Sequence, residues 1–522
     1  MAYLAIQVLA ALALLAAAAD AARILAVMPM PARSHHIAFG GVTKALADRG
    51  HDVTLISGLP KGNKINPANN KVIYLPNPFE DMANDVLKDF WEQKQKPYEQ
   101  LQFLMNWGEK LTNTTLSSPI FLAEINKPGQ KYDLILAELF FFQEAMVGLG
   151  HKFNCPVVAV NPFGTSSMVN DAMGNPVNPA WVPSPFLGFS DRMSFTERAM
   201  NSLLHVSMHA YYNYFYMPKM QALSDIHFPG APPVQDMLRS YLGLTLVNNH
   251  FSLAYPAPMS PNVVEIGGIH IPDKPKALPK DLQDFMDSAK DGVVYFSMGS
   301  NLKVEFMPES AKQAILGALF ALKERVLLKW DGPLPKNMPA NVKHIEWAPQ
   351  GDLLAHPNMR VFFTHGGLLS TQESVYYGVP LVGMPMFGDQ QFNMLLAANK
   401  GFCVKLEIRE LTRQKVDEAL REVLQKPKYK EAATRLSRLF RAKPLTPAQS
   451  AVFAVETVLE HGADHLRPAS VGMPLYQLLL LDVVLAAAVP FLLLFLCCRA
   501  LCCGSKKAAQ EDRSAAARKK RN

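Results

Sequence analysis

Residues Trp347–Gln390 read WAPQGDLLAHPNMRVFFTHGGLLSTQESVYYGVPLVGMPMFGDQ. A short apolar run, Val361, Phe362, Phe363 and Thr364, meets His365, Gly366 and Gly367. A helix-like segment follows, and then a second apolar run that ends at Asp389 and Gln390. A strand that feeds glycines at the start of a helix is a place to hold an anion. The first N–H groups of a helix have no partner within it, and the helix dipole is positive there.

The same alternation extends outward on both sides. Ile24–Met28 reads as a strand, Ile37–Arg49 as a helix capped by Gly50, and Val53–Ile56 as the next strand. Asp133–Ala137 and Val157–Val160 are further short apolar runs. The section from Phe79 to Gln221 is rich in aromatics and irregular. Pro256, Pro258, Pro261, Pro272, Pro275 and Pro279 exclude a regular helix or a central strand and mark a linker. Beyond it, Val293–Ser297, Val326–Trp330 and Val361–Thr364 read as strands and Ser310–Lys323 as a helix. Alternating strands and helices predict doubly wound parallel sheets, one on each side of the linker.

The dipeptide Thr364-His365, followed by Gly367, Ser370, Glu373, Pro380, Pro385, Asp389 and Gln390, resembles the signature of the UDP-glycosyltransferases. A more dilute likeness runs from about Arg23 to the C-terminus. The resemblance implies the GT-B fold: two Rossmann-like α/β domains facing a cleft, followed by one C-terminal transmembrane helix. The organisation expected is a signal peptide at 1–22, an acceptor-binding domain at 23–255 and a Pro-rich linker at 256–280. A UDP-sugar-binding domain with trailing helices follows at 281–474, then a transmembrane helix at 475–498 and a basic cytosolic tail at 499–522.

Both ends carry their own signals. Residues 1–19 are almost entirely Ala and Leu, with Ala17-Ala18-Ala19 as a small-residue cleavage site for a secretory leader. Leu475–Cys498 is apolar except for Gln477 and Asp482, and its length suits a membrane span. Eight basic residues against two acidic ones then leave +6 of the chain's formal +7 in the tail. The basic character is therefore no nucleic-acid footprint. Positive charge beside a span places the tail in the cytosol and the body in the lumen. Lys519 and Lys520 sit where a dilysine signal is read by coat-type retrieval machinery, so the expected location is the endoplasmic-reticulum membrane. Cys497, Cys498, Cys502 and Cys503 flank the membrane, where palmitoylation occurs. Only Cys155 and Cys403 lie in the body, which excludes a disulfide scaffold. Asn113-Thr114-Thr115 is the one glycosylation sequon, and a lumenal body makes it available.

Sugar transfer needs a stabilised diphosphate leaving group, a held sugar and a deprotonated acceptor. The chain contains no Asp-x-Asp, so neither a metal nor a cofactor is expected, and helix N–H groups and side chains must meet the charge on UDP. By resemblance, Ser300, Lys329, His365, Gly367 and Ser370 contact the diphosphate. Trp347 stacks on uracil and Gln350 reads its edge. Glu373 takes the ribose hydroxyls, and Asp389 and Gln390 hold the sugar. His35 is the general base, with His36 beside it as the residue it is most easily mistaken for. Glu138 stands where the family usually has the aspartate that orients the base, with Asp133 as the fallback.

The reaction implied is inverting transfer of a hexose to small lipophilic hydroxyl acceptors, yielding β-glycosides for detoxification or metabolite conjugation. Family members that use UDP-glucuronic acid carry an arginine at the position that falls on Asn248 here, which favours UDP-glucose. Phe140, Phe141, Phe142 and the run Tyr211–Tyr216 are the expected acceptor-side aromatics. UDP-glucuronic acid or UDP-galactose as donor, a catalytically silent ligand-binding relative, and a homo-oligomer all stay open.

Overall fold

Aliphatic runs build two parallel sheets. The computed structural model describes residues 21–62, 67, 70–76, 91, 97–300 and 302–520. All but the last two residues of the expected signal peptide, much of 63–96, and Arg521 and Asn522 lie outside the described residues. The first sheet comprises β1 (Arg23–Met28), β2 (Asp52–Ser57), β3 (Lys71–Tyr74), β4 (Leu134–Ala137), β5 (Val157–Asn161), β6 (Leu242–Val247) and β7 (Val263–Glu265). Its order is β3-β2-β1-β4-β5-β6-β7. The second comprises β8 (Val293–Ser297), β9 (Arg325–Lys329), β10 (Val342–Ile345), β11 (Met359–Thr364), β12 (Leu381–Gly383) and β13 (Cys403–Lys405), in the order β10-β9-β8-β11-β12-β13. The pairings are parallel throughout. The central strands are buried on both faces, which is why they read as continuous apolar runs.

Each order reverses once, between β1 and β4 in the first sheet and between β8 and β11 in the second. At such a switch point a crevice opens beyond the carboxyl ends of the strands, and ligands bind there. Val27 pairs with Ala137, and Thr364 with Ser297, so residues just past these pairs meet at the two crevices.

The domain boundaries differ from the expected ones. β7 lies inside the Pro-rich 256–280 segment and extends the first sheet. It is a three-residue edge strand, where prolines are tolerated. The helix Pro447–His461, expected to trail the second domain, covers the first sheet instead. Ala451, Ala454, Val455 and Val458 join the core of β1, β5 and β6, and Glu456 accepts from Arg49 Nε at 2.9 Å. Trp91 crosses the other way: it is buried in the second domain's core and donates to Lys303 O at 2.9 Å. Gln372 stitches the halves together, donating to Asn248 O and accepting from Gly268 N, both at 3.1 Å. Much of the section read as irregular is helical, notably Pro97–Leu116 and Phe195–Tyr211.

Residues 468–522 form a separate unit. The expected span at 475–498 is broken at Leu480, whose φ of 55° lies in the left-handed region and parts Leu475–Leu478 from the long helix Leu481–Lys519. Leu481–Leu501 is long and apolar enough to cross a membrane. Asp482 thereby falls in the first turn of that helix, where a carboxylate meets the positive end of the dipole.

Candidate active site

β1 leads into the helix Arg33–Arg49, which begins four residues earlier than its apolar pattern suggests. His35 therefore sits in the first helical turn. β4 ends at Ala137, so Glu138 is the next residue at the same switch point. His35 Nδ1 lies 2.6 Å from Glu138 Oε1, and the two side chains are 7% and 1% exposed. Glutamate reaches where the commoner pattern has aspartate. Burial holds the Glu138 carboxyl above the usual range, and the neighbouring His35 opposes that shift. With Nδ1–H donated to the carboxylate, Nε2 is left to accept a proton. The edges of Phe141 and Phe163 wall the imidazole at 5.0 and 4.9 Å between ring centroids.

The two rivals are accounted for elsewhere. His36 is buried with Nε2 2.9 Å from Met30 O, a structural tie. Asp133 lies at the opposite end of β4, where it accepts from Arg23 N at 2.8 Å.

The residues expected on the donor side gather at the second crevice. β8 runs into Ser297-Met298-Gly299-Ser300, and β11 into His365-Gly366-Gly367, which opens the helix Leu368–Tyr376. The His365 ring is clasped by two glycines. A Cβ on Gly299 (φ +80°) would lie 2.5 Å from its Cε1, and one on Gly367 would lie 2.7 Å from its Nε2. Burial, helped by Lys329, pushes the His365 pKa down to about 4, so the imidazole is neutral at physiological pH. Lys329 Nζ donates to Gly299 O at 2.6 Å, and burial lowers its pKa, with Arg33 adding to the shift.

Ser370 and Glu373 lie on the helix that Gly367 opens. Gln350 is turned inward rather than toward a free base edge: its Nε2 donates to Ser370 Oγ at 2.9 Å and to Glu373 Oε2 at 2.6 Å. Burial raises the Glu373 carboxyl to about 7 against that hydrogen bond. Asp389 Oδ2 accepts from Asn393 Nδ2 at 2.9 Å. Burial raises its carboxyl, and among the opposing influences is the charge of His35 on the first domain. Gln390 Oε1 accepts from Met386 N at 2.9 Å, which leaves its amide nitrogen to offer a hydroxyl. Trp347 is 58% exposed. It shares a cavity of about 180 Å³ with Ser300 and Lys329.

Four further residues, which sequence reasoning missed, adjoin these groups. Arg33 lines that same cavity, two residues before His35. His270 Nε2 lies 3.8 Å from Glu373 Oε1. Asn393 positions Asp389, and Gln372 joins the domains. The i,i+4 spacing of Asp389 and Asn393 was the one signal available. The acceptor-side aromatics divide: Phe140, Phe141, Phe142 and Tyr216 are buried, whereas Tyr211, Tyr214 and Phe215 are exposed. Asn248 is buried and donates to Pro162 O at 3.0 Å.

Comparison with known proteins gives the family and the fold. A family model described as UDP-glucoronosyl and UDP-glucosyl transferase matches residues 23–514. UDP-glycosyltransferase UGT5 of Dactylopius coccus is 33% identical over 468 residues, 88% of this chain and 88% of that protein. UDP-glucuronosyltransferase 2C1 of Oryctolagus cuniculus is 31% identical over 475 residues, 86% of this chain and 92% of that protein. Among solved structures, a Polygonum tinctorium UDP-glucosyltransferase superposes with a TM-score of 0.57 at 17% identity, over 84% of this chain and 99% of that one, a likeness of fold. Two parallel α/β sheets, each with its own switch-point crevice, together with that likeness, are the GT-B arrangement, and the chain belongs to the family of UDP-glucuronosyl and UDP-glucosyl transferases.

Proposed function

We propose that this UDP-glycosyltransferase moves glucose from UDP-glucose, with inversion, onto a hydroxyl of small lipophilic acceptors, as a conjugating or detoxifying enzyme of the endoplasmic-reticulum membrane. The observation that carries the reading is the buried His35–Glu138 pair, with Nδ1 2.6 Å from Oε1.

In this mechanism Trp347 carries the uracil and Glu373 the ribose hydroxyls. The N-terminus of the Leu368–Tyr376 helix, with Gly367, Ser370, Ser300, Lys329 and neutral His365, meets the diphosphate. Asp389 and Gln390 orient the sugar. His35 Nε2 takes the acceptor's hydroxyl proton as its oxygen attacks the anomeric carbon, and Glu138 stabilises the imidazolium. The bond to UDP breaks on the opposite face, so an α-linked donor gives a β-glycoside. No metal enters this scheme.

Glucose is favoured because Asn248, at the position of the family's glucuronate arginine, is neutral and buried. The cations of the donor side, Arg33 and Lys329, lie beside Trp347 and Gly299 rather than beside Asp389. Microsomes bearing the full chain, given simple phenols and flavonoids, are expected to form glucosides from UDP-glucose at least tenfold faster than glucuronides from UDP-glucuronic acid. Faster glucuronide formation would overturn the donor assignment and leave the mechanism standing.

The apolar helix Leu481–Leu501, the leader-like N-terminus and the dilysine end support a single-pass chain with a lumenal body and a cytosolic tail. Ending the chain after Arg467 is expected to release the body from the membrane pellet with its activity intact. A body that stays in the pellet would show that the span is not the sole anchor.

A further inference from the structure

We infer that Arg33 is a cross-cleft clamp for the diphosphate of the donor, an inference that rests on the donor site proposed above. Arg33 opens the helix that carries His35, on the first domain. Its guanidinium nonetheless lies 5.0 Å from the centroid of the Trp347 ring on the second domain. Lys329 Nζ lies 5.3 Å from the same centroid. Both cations line one cavity with Gly299 and Ser300, the turn at the carboxyl end of β8. Among the described residues no carboxylate lies within 4 Å of Arg33. Asp331 and Glu346 also line the cavity; Asp331 accepts from Val304 N at 2.7 Å.

Among the described residues neither Arg33 nor Lys329 has a carboxylate within 4 Å, so the two cations over the exposed ring stand ready for an anion. A nucleoside diphosphate supplies it. Uracil seated on Trp347 displaces the guanidinium from the ring toward Ser300 and Lys329, where its planar fork matches phosphate oxygens in pairs. Because His35 is in the same helical turn, holding the diphosphate through Arg33 also draws the general base to the donor. Metal-free neutralisation of the leaving group would then come from both domains, and only when the cleft is occupied.

The test compares the full-length chain in detergent with Arg33→Met and Arg33→Lys, titrating UDP, UMP and uridine by calorimetry. Arg33 is exposed, so both variants should keep the wild-type melting temperature. Arg33→Met is expected to weaken UDP by about 10–100-fold, UMP by less, and uridine hardly at all. Arg33→Lys should recover part of the UDP loss. Equal losses for all three ligands would make Arg33 a stacking partner of the base and overturn the clamp. Unchanged UDP affinity in Arg33→Met would overturn it alone, whereas a wild-type chain that binds no UDP would sink the donor site and the clamp together.

Discussion

His35→Ala is expected to lower transfer by about 10²–10⁴-fold while leaving UDP affinity within about twofold, because it removes the proposed general base, whose side chain hydrogen-bonds Glu138 rather than a donor-side residue. Alanine also strands Glu138, whose Oε2 already lacks a partner among the described residues. Losing the hydrogen bond to Oε1 as well costs about 1–3 kcal/mol of stability, which can masquerade as lost catalysis. His35→Gln keeps an N–H for Glu138 and supplies no base, so it should be as inactive as His35→Ala and closer to the wild type in melting temperature.

Glu138→Gln separates orientation from charge. It preserves shape and one acceptor oxygen, but nothing then stabilises the imidazolium. Its kcat should fall while KM for the donor holds. A carboxyl whose folded pKa is raised favours its neutral form, so its stabilising contribution is present at low pH and lost as pH rises through the folded value. The amide should therefore be at least as stable as the native side chain wherever that carboxyl is ionised, and lower activity without lower stability is the expected signature. An active His35→Gln enzyme would remove the dyad from the mechanism.

The central strands and the dyad were legible because local sequence determines them. Ile24–Met28, Val293–Ser297 and Val361–Thr364 are apolar runs that only a strand buried on both faces explains, and glycines mark where those of the donor half end. Once parallel pairing is granted, the ends of β1 and β4 must adjoin, so His35 and Glu138 meet. The rest depends on what each element packs against. The apolar face of Pro447–His461 announces a buried helix but not which sheet it covers. β7 is too short and too near prolines to register as a strand. The Tyr211–Tyr216 run has no polar residue but Asn213 to set a period. A π-helical turn at Tyr212–Tyr216 sends Tyr212 and Tyr216 inward, to Glu144 Oε1 and Phe142 O, and leaves Tyr214 and Phe215 outside. The apolar run at Leu475 gives no sign of the break at Leu480, which is a backbone feature. Arg33 was invisible because its partner, Trp347, is on the other domain.

On the ribose-binding role proposed for Glu373, donor affinity should rise with pH between 6 and 8. Ribose hydroxyls are donors, so they bind the ionised carboxylate, but burial lifts the free group to about 7. No cation compensates: His270, 3.8 Å away, has its own pKa pushed down to about 4 by burial and is neutral. Gln350 supplies the one strong hydrogen bond, at 2.6 Å. If only the ionised form binds, the apparent dissociation constant is divided by the ionised fraction, which grows about tenfold from pH 6 to pH 8. KM for the UDP-sugar, whose diphosphate does not titrate in this range, should fall by about that factor. The free protein moves the opposite way. A carboxyl raised from its ordinary value is stabilising below that value and loses its contribution as pH climbs through about 7, so melting temperature without donor should decline over the interval. The shift in melting temperature on adding UDP-sugar should consequently be larger at pH 8 than at pH 6. Glu373→Gln replaces the charged acceptor with a neutral one already courted by Gln350. Two charge-assisted hydrogen bonds weaken together, so KM for the donor should rise by about 10²–10³-fold. The variant's KM should also become flat in pH. A Glu373→Gln enzyme that kept the wild-type pH dependence would place the titrating group elsewhere, with Asp389, whose carboxyl is also raised by burial, the next to replace.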